Sequence, residues 1–508
     1  MTKRRILVAF TTIALALSGG VALAQVARVA QSLAHTSLAP AQATGLADQS
    51  VLRALFEGLV GFDREFQLVP ELATEWSVSD DATEFAFQLR EDVVFHDGSP
   101  LTAAGVAEYF LWVMDPDNAL SAFGRNALAG VASVEATGPL ELRITLERPN
   151  GAFLFNLALS STYVVSPEAL GEGMPRNPVG TGPFRFVEWQ DGEYVVLERN
   201  DAYWGEPANV EGIRFVVVNN AATRVAMLEA GEADWIEDVP PPLVDSIEAA
   251  SGVEVTVTPS TFARIFPMNV QRPPFDDVRV RQALNYAVDK EQLAQVVFRG
   301  YATVMDSALT SPVFGYTPVG PYPYDPERAL ELLAEAGFGP DGERLAFGVL
   351  TFTGAEYATA GQVLQQMFAD VGVDITLEPT ERGALVERIF RPFESTDFVA
   401  GLVGNSSATG DAARTLAVPF SRATWPPAGQ NFGFYENDEV ERLLVEGEAA
   451  SDPQERLEIY AEAQRILHED APWVFLYSPD NIAGQREGVT GIGYYPNKVV
   501  DARRIALP

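Results

Sequence analysis

Apolar and polar residues alternate in short runs through the first third of the chain. EFAFQLRED (84–92) alternates Phe85, Phe87 and Leu89, and residues 134–149 set Leu140, Leu142, Ile144 and Leu146 on one side. Alternation of that length predicts half-buried strands. Between them, Thr102 to Met114 reads as a helix stopped near Asp115-Pro116. Residues 51–60 carry apolar side chains at helical spacing up to Gly61. Farther along, Gly180-Thr181-Gly182-Pro183 predicts a turn into two strands, FRFVEW and YVVLERN, joined around Gln190-Asp191-Gly192. Residues 213–219 predict a further strand, and Thr223 to Ala230 a short helix with Gly231 as its C-cap.

From residue 276 the period lengthens. DDVRVRQALNYAVDKEQLAQVVF opens with acids that can cap free amides and spaces Val280, Leu284 and Val288 four apart, as a helix requires. Asp325-Pro326 starts another helix that Gly337 ends, and Asp452 with Glu455 three residues on forms a capping box for a third. LAFGVLTF (345–352) and VDITLEP (373–379) flank a helix over 360–370, a strand–helix–strand unit. The pattern predicts a mixed α/β protein of several lobes, in keeping with 508 residues at roughly 100 to 200 per domain.

The first 24 residues change the picture. Lys3, Arg4 and Arg5 precede an apolar stretch, Ile6 to Leu17, and Ala22-Leu23-Ala24 offers small residues before Gln25. This is the layout of a cleavable export signal, with an apolar stretch short for a membrane span. There is no cysteine, so the expectation excludes a lipid-modified cysteine, disulfides and thiolate chemistry. The formal charge is -35, which repels a polyphosphate backbone; nucleic acid is not an expected partner.

Few motifs of catalysis are visible. The three histidines, His35, His96 and His468, are scattered, so no metal site is predicted. His96, in Phe95-His96-Asp97-Gly98, is expected to make structural hydrogen bonds. There is no G-x-S-x-G elbow, no phosphate-binding G-x-x-x-x-G-K-[ST] loop and no dinucleotide-binding G-x-G-x-x-G after a strand. Asp and Glu number 70, so acid pairs carry little information. No enzyme activity and no cofactor are expected; a periplasmic hydrolase is the remaining alternative in that class.

Five stretches carry a resemblance. They are 55–110, with Glu57-Gly58-Leu59, Val69-Pro70 and Phe95-His96-Asp97-Gly98; 177–205, ending Arg199-Asn200 and Tyr203-Trp204-Gly205; 226–234; NVQRPPFDDVRVRQALNYAVDKEQL (269–293); and 431–472. In this order they resemble the extracellular solute-binding proteins of the peptide, nickel and oligosaccharide class (family 5) that serve ATP-driven importers. The resemblance implies a type II periplasmic-binding-protein fold: two lobes, a hinge and an additional inserted domain. The first lobe would comprise 25–59, 175–262 and 474–508, the inserted domain 60–174 and the second lobe 263–473. A monomer that binds short peptides between its lobes and passes them to ABC permease subunits is implied, with an oligosaccharide, an opine or a metal chelate as alternative ligands. The missing lipid-anchor cysteine points to free diffusion in a periplasm.

Peptide-binding relatives often place an acidic residue in a late second-lobe segment, within a tryptophan and Asp-Tyr-x-Asp-Pro pattern. Here that segment reads AGLVGNSSATGDAARTLAVPF (400–420), without the tryptophan or the Asp-Pro. Asp411 is the position match for a carboxylate that would hold a peptide ammonium, with Arg414 and Trp425 as nearby contacts. Thr353, Gly354 and Tyr357 follow a second-lobe strand end, where cleft residues sit. Buried polar or packing roles are the alternative reading for each of these residues.

Overall fold

A computed structural model describes residues 25–339 and 342–508; the expected export signal lies outside them. Three sheets organise the chain. The first has seven strands, in the spatial order Val253–Thr258, Asn481–Arg486, Trp235–Ile236, Val26–Gln31, Gly212–Val217, Tyr194–Arg199 and Phe184–Gln190. Its centre is parallel: Val26–Gln31 pairs with both Gly212–Val217 and Trp235–Ile236. Ala27, Val29 and Ala30 are all buried, as expected of a parallel strand covered on both faces.

The second sheet has six strands, in the order Ala302–Val304, Trp473–Pro479, Phe262–Pro267, Ala400–Ser406, Leu345–Phe352 and Val373–Thr380. Leu345–Phe352 runs parallel to both of its neighbours. The predicted strand–helix–strand unit is present, its helix spanning Ala355–Asp370. The third sheet is antiparallel, in the order Ala73–Val78, Glu84–Leu89, Glu141–Leu146, Val131–Ala136. Phe85, Phe87, Leu89, Leu142, Ile144 and Leu146 all point into one core with the helix Ala103–Met114, and that core is continuous with the first sheet.

Local rules place most helix starts. Thr102 accepts from the Gly105 amide at 3.1 Å, Asp325 from Arg328 at 2.9 Å and Asp452 from Gln454 at 2.8 Å, each satisfying a first-turn N–H. The long stretch from 276 forms two helices, Val278–Tyr286 and Lys290–Phe298. Asp289 caps the second through the Gln292 amide at 2.9 Å, and that cap interrupts the first.

Two sequence expectations shift. The helix expected over 51–60 spans Leu46–Leu55 instead, and the chain is extended from Phe56. The cause is Glu57. Its buried carboxylate accepts from Thr181 Oγ1 at 2.9 Å, Tyr203 Oη at 2.7 Å and Trp204 Nε1 at 2.7 Å, partners that a continued helix would not let it reach. The second shift concerns the boundary set at 473/474. Trp473–Pro479 is a strand of the second sheet, so the return to the first comes at Pro479–Asn481. The outward crossing lies between Thr258 and Phe262. His96 does make the structural bonds expected of it: Nε2 lies 3.1 Å from the Gly182 carbonyl, and Nδ1 accepts from the Gly180 amide at 3.2 Å.

Candidate ligand-binding cleft

In open α/β sheets, ligands collect beyond the carboxyl ends of parallel strands. Here such ends from two sheets face one another beside the crossing segments. From the first sheet come Gln31-Ser32 and Glu237-Asp238; from the second come Thr353-Gly354 and the start of the helix Ala355–Asp370. A cavity of about 400 Å³ lies between them, its polar lining made by Asp238, Ser260, Arg264, Glu356, Asp480, Asn481 and Lys498. That volume falls within the range of small-molecule sites, roughly 300–1,000 Å³.

Charge is distributed on both sides. On the first sheet's side, Lys498 Nζ lies 2.5 Å from Asp238 Oδ1, and Ser32 Oγ donates to Asp238 Oδ2 at 2.8 Å. Burial opposes ionisation of Asp238, but Lys498 and Ser32 outweigh it and hold its carboxyl below the ordinary range. Glu237, behind it, accepts from the Ser32 amide and has Ser32 Oγ 2.7 Å from its Oε1. Burial, with the Asp238 charge beside it, raises the Glu237 carboxyl. On the second sheet's side, Arg264 is forked onto Glu356, with Nη2 at 3.2 Å from Oε2, and its guanidinium lies 5.4 Å from the Tyr357 ring centroid. Asp480 differs from these: among the described residues no hydrogen bond or ion pair reaches its carboxylate, and burial lifts its pKa to about 6.

The residues singled out from sequence separate. Asp411 does cap the helix Ala412–Phe420, accepting from Ala413 N at 2.8 Å. Its carboxylate is fully buried against Arg456, whose Nη2 lies 2.7 and 2.9 Å from its two oxygens. Asp411 is thus half of an internal ion pair and lies outside the lining of the cavity. Arg414, in the same helix, is exposed and outside the cavity lining. Trp425 is a packing residue: Nε1 donates to the Tyr435 carbonyl at 3.0 Å, and its ring meets Phe434 at 5.3 Å and Phe393 at 5.9 Å. Thr353 Oγ1 donates to Glu381 at 3.3 Å on the exposed side. Gly354, at φ +141°, caps the helix that carries Glu356, and Tyr357 borders Arg264. Those last two flank Glu356 in the chain but are not in the cavity lining.

Sequence reasoning missed Asp238, Arg264, Glu356, Asp480 and Lys498. One clue was available. The chain contains only three lysines, Lys3, Lys290 and Lys498, and a residue type used so sparingly marks its positions. Among the described residues, no cluster of three or more His, Asp or Glu could hold a metal, and no helix is long and apolar enough to cross a membrane.

Comparison with known proteins agrees with this architecture. Residues 67–425 match the bacterial extracellular solute-binding proteins, family 5 Middle. The glutathione-binding protein GsiB of Pectobacterium atrosepticum is 34% identical over 506 residues, 97% of this chain and 96% of its own. HbpA2 from Haemophilus parasuis superposes with a TM-score of 0.86 at 26% identity, over 95% of this chain and all (100%) of that one. The periplasmic binding protein DppA from Helicobacter pylori, solved with the peptide STSA, gives 0.74 at 26% identity, over 94% and 98%. The fold is that of type II periplasmic binding proteins with an additional sheet. By the length of the family match and the identity sustained along nearly all of a relative, this chain belongs to the bacterial extracellular solute-binding proteins, family 5.

Proposed function

We propose that the protein is a periplasmic capture subunit that binds short peptides, glutathione among them, and delivers them to an ABC permease without chemical change. The observation that carries this reading is the cavity between two sheets, with an acid and a base on each side. A peptide presents an ammonium, a carboxylate and backbone amides, and each finds a complementary group there. The identity to a glutathione-binding protein and the fold shared with a peptide-bound one support the same class. Glutathione carries two carboxylates and one ammonium, for which the cavity lining offers two cations, Arg264 and Lys498, and three acids, Asp238, Glu356 and Asp480.

In this reading the first and second sheets centre two lobes, the third sheet centres the inserted domain, and the two crossing segments form the hinge that closes the lobes over ligand. The N-terminal segment directs export and is removed. The test is calorimetric titration of the purified protein with glutathione and trialanine, alongside native mass spectrometry of what co-purifies. Saturable one-to-one binding of either peptide is expected. Binding of neither, with a sugar or a metal chelate released on unfolding, would overturn the peptide assignment.

A further inference from the structure

Four carboxylates stand at or just behind the cavity wall. Asp238 is neutralised by Lys498, Glu356 by Arg264, and Glu237 is buried and occupied by Ser32. Asp480 alone among them has neither a cation nor a donor among the described residues. It sits in the segment Pro479–Asn481 that joins the last strand of the second sheet to Asn481–Arg486 of the first. Its backbone is held on both sides by strand pairing, and its amide donates to the Tyr301 carbonyl at 3.1 Å. A carboxylate half-withdrawn from water with no partner costs free energy unless a ligand supplies the missing charge.

We propose that Asp480 is the seat of the ligand's ammonium group, placed on the connection between the two sheets. The assignment rests on the peptide reading above. The cavity cations, Arg264 and Lys498, each hold an acid of the wall, Glu356 and Asp238, and meet a ligand carboxylate only by sharing those pairs. A group fixed on the crossing segment lies at the pivot of any lobe movement, so it can meet an amine before closure and keep it afterwards.

The charged and titratable groups facing Asp480 across the cavity are Asp238, Lys498, Arg264 and Glu356, with Glu237 behind Ser32. The phenol of Tyr301 and the Arg299–Asp245 ion pair belong to the neighbouring segments. Burial sets the Asp480 pKa at about 6, so the ionised form that attracts an ammonium is lost as pH falls through that value. Glu237 also titrates high, which makes the Asp480→Asn comparison necessary.

The experiment titrates full-length mature protein and its Asp480→Asn variant with glutathione and trialanine, each with a free and an acetylated amine. For the wild type, the free amine is expected to bind on the order of 10- to 100-fold more tightly than the acetylated form, as for a charge-assisted hydrogen bond. Asp480→Asn should lose that preference. Wild-type affinity should weaken by up to about tenfold per pH unit below about 6, and the variant should depend on pH less steeply. Without ligand at neutral pH, the variant should melt no lower than the wild type, since it sheds an unpaired charge; a residue needed only for folding would melt lower. Equal wild-type binding of free and acetylated peptides overturns the Asp480 seat while leaving peptide capture standing, and this comparison needs no variant. A variant that keeps the preference overturns it too. A wild type that binds no peptide overturns both readings.

Discussion

A carboxylate and a guanidinium buried together depend on each other more than the fold depends on the pair. Asp411 and Arg456 are 1% and 2% exposed at their side chains, and Arg456 also donates to the Gly447 carbonyl at 3.0 Å and lies 5.1 Å from the Phe314 ring. Arg456→Met should leave Asp411 charged and unpaired, and should lower stability by about 3–5 kcal/mol in urea unfolding. Adding Asp411→Asn should restore much of that loss. Lys290 is a second case. Its ammonium donates to the carbonyls of Asn285 at 3.1 Å and Tyr322 at 3.2 Å, yet burial pulls its pKa from 10.5 to about 7. Folded protein then binds fewer protons than unfolded chain between those values, so this group makes stability rise with pH across that window. Below it both states are charged and the cost of burial is fully present. The unfolding free energy of the wild type minus that of Lys290→Met should increase by about 1.4 kcal/mol per unit between about pH 7.5 and 9.5.

At the scale of elements, caps and turns rather than propensity set the boundaries. The helix Ala103–Met114 is largely apolar and could begin a residue earlier or later by composition alone; the Thr102 hydroxyl fixes its start. Thr102→Ala should cost about 1 kcal/mol, read as a shift of the unfolding midpoint with an unchanged denaturant slope. The early end of the helix Leu46–Leu55 shows the opposite situation. Its apolar spacing continues past Leu55, but a buried acid whose donors lie far along the chain dictates an extended chain. Hydrophobic period cannot register such a demand, because the donors, Thr181, Tyr203 and Trp204, lie more than a hundred residues on.

For the whole molecule, the third sheet's region meets the far side of the second sheet's helices. The Gly151 amide donates to the Glu448 carbonyl at 2.6 Å, Ser451 Oγ donates to the Asp80 carbonyl at 3.1 Å, and the Phe155 and Phe314 rings are 5.3 Å apart. A methyl group at Gly151 would run into the Ala450 carbonyl. Gly151→Ala should therefore oppose this approach by about 1–3 kcal/mol. The expected outcome is a larger radius of gyration by small-angle scattering and a peptide affinity weaker by roughly 5- to 150-fold. Unchanged scattering and affinity would show that this contact plays no part in closing the cleft.

The strands with clean alternation, such as Glu84–Leu89 and Glu141–Leu146, and the helices opened by Asp325 and Asp452, were determined by sequence alone, because their causes lie within a few residues. Ordered motifs along the chain also carried the family. The ligand site was another matter. Asp411 matched by position, but a partner 45 residues later, Arg456, takes its charge. Asp238, Arg264, Glu356, Asp480 and Lys498 come from five separate segments, each unremarkable by itself, and only the folding of two sheets against a shared crossing brings them to one cavity. Local patterns record what a residue's neighbours in sequence require; which charges end up paired, and which is left for a ligand, is decided by contacts that exist only in three dimensions.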